Sequence, residues 1–166
     1  SINNVFFVTK GDEFIMYNLD GSQPKNITAI YSFSYNYYVL SPLEKAIYYT
    51  SENQLFRLSY AGKRDTIIKK TTNVNLSELC IDPIQKKLYF NKYTDFNDVL
   101  IQSDFDGKNQ KIVYFYNEDL NIYRMQLDAK NNRMFYRYWE NGPKIGTLDL
   151  TTLSFKEVLS QDYGSV

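Results

Sequence analysis

Apolar and aromatic residues come along this chain in short bursts, without the sustained 3.6-residue rhythm of an amphipathic helix. Four bursts are alike: Val5-Phe6-Phe7-Val8, Ile47-Tyr48-Tyr49-Thr50, Leu88-Tyr89-Phe90-Asn91 and Met134-Phe135-Tyr136-Arg137. They recur at about 42, 41 and 46 residues, a period that marks stacked repeats of one supersecondary unit. Ahead of the last three lie Leu40-Ser41-Pro42, Ile81-Asp82-Pro83 and Leu127-Asp128-Ala129, each followed by a polar turn. Behind each burst comes a strand-like segment running into Asp20-Gly21, Ala61-Gly62 or Asp106-Gly107; the last copy, Ile145 to Thr151, has lost that glycine. A closing element ends each unit, at Lys25-Asn26-Ile27-Thr28, Thr66-Ile67-Ile68-Lys69, Lys111-Ile112-Val113-Tyr114 and Lys156-Glu157-Val158-Leu159.

Each unit therefore predicts four short strands, and the chain is all-β. Gly21, Gly62 and Gly107 stand where a tight connection needs positive φ. Pro42 and Pro83 stand at strand ends, where no ladder donor is lost. The bursts are apolar on successive residues, which a one-sided sheet does not tolerate. A sheet packed between two others does, because both of its faces are buried.

The "I-D-P" turn, the aromatic strand and the "L-D-G-S" turn, repeating about every 42 residues, resemble the YWTD repeats of low-density-lipoprotein-receptor-type β-propellers. Tyr48-Tyr49-Thr50-Ser51, Asp82-Pro83 and Leu19-Asp20-Gly21-Ser22 carry the likeness, the last as a literal match. No repeat keeps the full YWTD: its terminal Asp is missing from all four, and Phe or Tyr holds the Trp position. NHL and TolB-like propellers share the same general pattern. The single Trp139 falls beyond its tetrad, in a predicted loop.

The expected architecture is a β-propeller of about four four-stranded blades, at roughly 1–30, 31–71, 72–116 and 117–160, within a single domain. Calling the strands A to D outward from the axis, the first unit lacks strand A. A receptor-type ring needs six blades, so four make a partial, half or compact ring. The tail at 161–166 is long enough to supply the missing strand, to its own chain or to a second copy. This allows a homodimer, or association with further blades, and bare end strands favour such pairing.

Composition narrows the chemistry. The chain has 166 residues, 19 Lys+Arg against 19 Asp+Glu, no His and one Cys. Zero net charge argues against the basic face that nucleic acid or a membrane surface requires. Without His there is no His base or His-ligated metal, and one Cys makes no internal disulfide or thiolate cage. No run of eighteen apolar residues and no signal-like start appears, so no membrane insertion is expected; the compartment stays open, with an extracellular or cell-surface setting implied only by the resemblance. The sequons at Asn26 and Asn75 carry little weight in a chain this rich in Asn, Ser and Thr.

In propellers the B–C and D–A connections share one face. Here the third and fourth B–C connections are the longest and carry aromatics beside carboxylates, the composition of contact surfaces. Tyr93, Asp95, Phe96, Tyr138, Trp139 and Glu140 are the candidate binding residues. The competing reading folds these rings down over the blade edges. Asp95, Asn97 and Asp98 lack the glycine and the bidentate Glu of a calcium loop, so a solvated loop is expected and no metal or cofactor is assigned. Asn36, Tyr37, Ser77, Glu78, Tyr123 and Arg124 are expected to line the central channel, with Glu78 and Arg124 in a position to pair as structural fill. Cys80 reads as a small buried hydrophobe.

The leading functional expectation is a non-enzymatic binding module whose loop face meets a protein or glycan, which is also what the resemblance implies. One alternative is a calcium-dependent propeller hydrolase or lactonase, which needs acidic and Asn side chains converging on the axis; only Glu78 offers one. Another is a structural piece of a larger ectodomain.

Overall fold

The computed structural model describes residues 5–10, 13–29, 37–94, 98–116 and 121–160. They form fifteen strands: β1 Val5–Lys10, β2 Glu13–Asn18, β3 Lys25–Ala29, β4 Tyr38–Ser41, β5 Ala46–Ser51, β6 Gln54–Ser59, β7 Arg64–Ile68, β8 Val74–Asp82, β9 Lys87–Thr94, β10 Asp98–Asp104, β11 Lys111–Phe115, β12 Asn121–Asp128, β13 Arg133–Trp139, β14 Pro143–Asp149 and β15 Phe155–Ser160. Each sheet is an antiparallel meander: β1-β2-β3, β4-β5-β6-β7, β8-β9-β10-β11 and β12-β13-β14-β15. The first sheet has no innermost strand among the described residues, as the strand count requires. The proposed closing strand at 161–166 lies outside them.

The repeat is visible in the turns. At the A–B connections a short side chain caps the turn: Ser41 Oγ accepts the Glu44 amide, Asp82 Oδ1 accepts those of Ile84 and Gln85, and Asp128 Oδ1 accepts that of Asn131. The last turn residue is left-handed each time, at Lys45, Lys86 and Asn132 (φ 48°, 56° and 51°). At the C–D connections Gly21, Gly62 and Gly107 donate to the carbonyls of Asn18, Ser59 and Asp104. The fourth copy solves the same turn one residue longer: Leu153 takes the left-handed position at φ 57° and donates to Asp149 O at 2.8 Å.

The strand register corrects the first tetrad. Phe6, Ile47, Leu88 and Met134 face Tyr17, Leu58, Ser103 and Leu148, so the first burst is in phase one residue later, as Phe6-Phe7-Val8-Thr9. A second repeated feature is a bulge in every C–D pairing, which leaves Ile27, Ile67, Val113 and Val158 as the extra residues of the outermost strands. A bulge bends its strand and sharpens the twist, and at Ile27 and Val113 the extra residue joins the core between two sheets.

The chain divides into two compact units, Ser1–Lys70 and Thr71–Val166, each holding two sheets. In the first, sheet 1 packs on sheet 2 through Phe7, Phe14, Met16 and Ile27 against Ile47, Tyr49, Phe56, Leu58 and Tyr60. In the second, Cys80, Tyr89, Leu100 and Val113 of sheet 3 meet Met134, Tyr136, Leu148, Leu150 and Phe155 of sheet 4. Matched by register, Phe7, Phe14 and Ile27 are Tyr89, Leu100 and Val113, and Ile47, Tyr49, Leu58 and Tyr60 are Met134, Tyr136, Leu148 and Leu150. One joint is thus built twice from the same positions. Its rings are the large terms in stability, each fully buried aromatic contributing roughly 1.5–3 kcal/mol. Strands β5 and β9 are buried on both faces, as their unbroken apolar runs predict.

Candidate functional site

The fourth sheet ends in the most accessible chemistry. At the β13–β14 connection Trp139 pairs with Pro143, and the turn between them uses Asn141 at φ 56° and Gly142 at φ 143°, with the Glu140 amide donating to Gly142 O. Trp139 is therefore the last residue of β13 and not part of a loop. Alternation along β13 sets its direction: Tyr138 points into the core and is 2% exposed, while Trp139 points the other way and is 52% exposed.

Below the turn, Lys144 Nζ lies 2.8 Å from Glu140 Oε2 and 3.0 Å from Glu157 Oε2, and the Tyr138 hydroxyl donates to Glu157 at 3.3 Å. Hydrogen bonds that Lys144 donates to the two carboxylates raise its pKa, Glu140 contributing most, and the Lys144 contact lowers that of Glu157. Both shifts favour the charged forms of Lys144 and Glu157. The cluster is a solvated ion triad on the Tyr138 face of the sheet, because Lys144 is the cross-strand partner of Tyr138, and Trp139 points to the opposite face.

On the Trp139 side of the sheet lies a cleft of about 440 Å³ lined by Arg124, Gln126, Phe135, Arg137 and Ile145. Arg137 sits over the Tyr123 ring at 5.0 Å, a cation–π contact. Neither arginine is in an ion pair among the described residues.

Of the six candidate binding residues, Trp139 and Glu140 are accessible together. Tyr138 takes the covering role, as does Tyr93, which is half-buried and donates from its hydroxyl to Ile122 O at 3.3 Å. Asp95 and Phe96 lie outside the described residues.

Of the expected channel residues, Glu78 serves as a clip between β8 and β12. Glu78 is the extra residue of a bulge between Ser77 and Leu79, left-handed at φ 37° and 3% exposed. Its Oε2 accepts the Met125 amide at 3.1 Å, the place taken in the sequence-based expectation by Arg124, whose side chain is exposed. Cys80 Sγ donates to Met125 O at 3.2 Å, and burial, reinforced by the Glu78 charge, pushes its thiol up to about 12. Ser77 is half-buried beside Tyr93, and Tyr123 forms the bulge of β12 under Arg137. The Tyr37 backbone pairs with Thr50, its amide donating to Thr50 Oγ1 and its carbonyl accepting the Thr50 amide. Asn36 lies outside the described residues.

A buried polar network that the sequence reading missed completes the joint of sheets 3 and 4. The Tyr116 hydroxyl donates to Asn91 Oδ1 at 2.6 Å and lies 3.3 Å from the Tyr136 hydroxyl, while Asn91 Nδ2 donates to Tyr93 at 3.4 Å. Burial raises the pKa of both Tyr116 and Tyr136, so both remain neutral donors and acceptors. Among the described residues no three His, Cys, Asp or Glu side chains gather as a metal site. No helix among them is long and apolar enough to cross a membrane.

No family model matches the chain, and no curated protein matches it in sequence. Solved structures do match in shape. A chain of a nidogen/laminin complex superposes with a TM-score of 0.72 at 18% identity, over 96% of this chain and 62% of that one. An oligogalacturonate lyase in complex with manganese gives 0.73 at 8% identity, over 92% and 43%. TolB from Acinetobacter baumannii gives 0.70 at 17%, over 95% and 41%. The fold is a β-propeller. The four sheets are its blades 1 to 4, and the chain spans less than two thirds of the length of each of these structures. At such identities the likeness fixes the fold alone, since propellers with binding and with catalytic roles share it.

Proposed function

We propose that the chain is a non-catalytic binding module, a divergent YWTD-type propeller that meets a protein partner through the loop end of blade 4. The observation that carries this reading is the half-exposed Trp139 at the end of β13, on the same face of the sheet as the cleft flanked by Arg124 and Arg137. A half-exposed indole on a face that also carries two arginines has the composition of an interface anchor with a polar rim. The Leu19-Asp20-Gly21-Ser22 turn supports the YWTD assignment: Asp20 Oδ1 accepts the Ser22 amide at 2.9 Å, the Gly21 amide donates to Asn18 O and Asn18 Nδ2 donates to Ser22 Oγ at 3.0 Å, so Asp20, Gly21 and Ser22 each have a part in the turn. The nidogen/laminin neighbour supports a protein partner ahead of a glycan. The oligogalacturonate lyase matches in shape as well as the nidogen/laminin chain does, so the choice of a binding role over a catalytic one rests on Trp139 and not on the neighbours.

The test is binding of the immobilised chain to laminin and, separately, to oligogalacturonate, each repeated with Trp139→Ala. The reading expects protein binding that weakens at least about tenfold in the variant. Saccharide binding lost in the variant would move the partner class to glycans. Absence of binding to either, or binding indifferent to Trp139, overturns the proposal.

A further inference from the structure

The joint built twice inside the chain has a further pair of half-surfaces, both exposed among the described residues. Tyr89, Leu100 and Val113 of blade 3 are the tail side of its joint, and their register counterparts on blade 4 are Phe135, Ile145 and Val158. Leu100 is 0% exposed beneath blade 4, whereas Ile145 is 39% and Val158 52% exposed. On the head side, Met134, Tyr136 and Leu148 of blade 4 are 0–1% exposed. Their counterparts on blade 1 are Phe6, Val8 and Tyr17, with Phe6 37% and Val8 41% exposed. Leu19, the counterpart of Tyr60 and Leu150, is 64% exposed. The head surface is already ordered, since Phe6 and Tyr17 stack at 5.2 Å with their planes 8° apart.

We propose that the outer face of blade 4 seats blade 1 of a second copy of this chain, forming between molecules the joint that blades 1 and 2, and blades 3 and 4, form within it. The apolar positions match one for one, and the arrangement continues an interface the molecule already uses. The cleft floored by Phe135 and Ile145 is the place for the stacked Phe6–Tyr17 pair, with Arg124 and Arg137 at its sides able to lie against the aromatic faces. Contiguous exposed apolar surface of this kind marks an interaction site. The contact is heterologous, so it closes into a ring or runs on to longer assemblies.

Absolute mass by light scattering over a dilution series tests this, with Val8→Glu altering only the head and Ile145→Glu only the tail. Both positions are exposed, so circular dichroism is expected to match the unaltered chain. The unaltered chain is expected to rise above 19.6 kDa with concentration. Each variant alone is expected to associate at least about 100-fold more weakly, because a carboxylate would be buried in an apolar joint. Ile84→Glu, on an A–B turn where Ile84 is 66% exposed, serves as the neutral control. The decisive sample is the mixture of the two variants: one intact head and one intact tail remain, so a capped dimer of twice 19.6 kDa returns. An unaltered chain that stays monomeric, a mixture that stays monomeric, or variants that associate like the control each overturn the proposal.

Discussion

Gly146 is where blade 4 leaves least room for change. It is buried in β14 opposite Tyr136, and the Phe155 ring lies across it. A Cβ added there would stand 2.4 Å from Phe155 Cζ and 3.0 and 3.1 Å from its Cε atoms. Carbon atoms rest at about 3.5–4.0 Å, so the ring must withdraw by roughly an ångström. It is hemmed in by Tyr114, Tyr136 and Tyr138, with centroids at 6.4, 6.1 and 5.6 Å. Overpacking of this kind costs about 1–3 kcal/mol, while replacing a strand glycine by alanine returns about 0.5–1 kcal/mol. Gly146→Ala is therefore expected to lose about 0.5–2 kcal/mol. Urea unfolding followed by the emission of Trp139, which lies in the same compact unit, reads this loss. In a Phe155→Ala background the sign reverses, because the clash is gone and the backbone gain remains. A Gly146→Ala chain as stable as the parent, or more stable, refutes the packing argument. Blade 2 meets the same register position differently, with Phe56 at the glycine site and the Arg64 guanidinium over it at 4.7 Å.

Three further outcomes follow from the same packing. Tyr116→Phe leaves Asn91 Oδ1 buried without its donor and should cost about 1–3 kcal/mol in the same unfolding assay, whereas a neutral result would place water in the network. Tyr116 and Tyr136 have folded pKa values raised above 10 and Cys80 one raised from 9.0 to about 12, so the native state holds protons that the unfolded chain releases. Stability is then intact below pH 9, falls as pH rises through 9–12 for Cys80 and above 10 for the tyrosines, at about 1.4 kcal/mol per pH unit per group; urea midpoints flat from pH 8 to 11 contradict it. Leu153→Asn replaces a partly exposed leucine at φ 57° with a residue that tolerates that region, and should raise stability by about 0.5 kcal/mol in thermal unfolding.

The repeat, the strand class and the glycine turns were legible because each has a local cause: a burst of apolar residues, a capping side chain, a positive φ. The register of the first tetrad was not. Where successive residues are all apolar the period-2 signal disappears, and Val5-Phe6-Phe7-Val8 reads equally well one residue either way. The four bulges leave no signature, since the extra residues Ile27, Ile67, Val113 and Val158 are ordinary β-branched strand formers. Trp139 and Tyr138 separated for a reason visible only in three dimensions: β13 runs on past its tetrad, and alternation sends one ring inward and the next outward. The loss of glycine in the fourth C–D turn was readable, but the longer turn through Leu153 that replaces it was not. The clip of Glu78 to the Met125 amide depends on a bulge in β8, which a list of polar residues near the axis does not reveal.

The central claim, that blade 4 meets its partner through Trp139, is tested most directly by the emission of that residue, the single tryptophan of the chain. The measurement is acrylamide quenching at dilution, free and saturated with laminin. The account predicts strong quenching in the free chain, then a blue shift and loss of quenching on saturation. Emission that is already shielded in the free chain, or that stays unchanged when binding is complete, contradicts it.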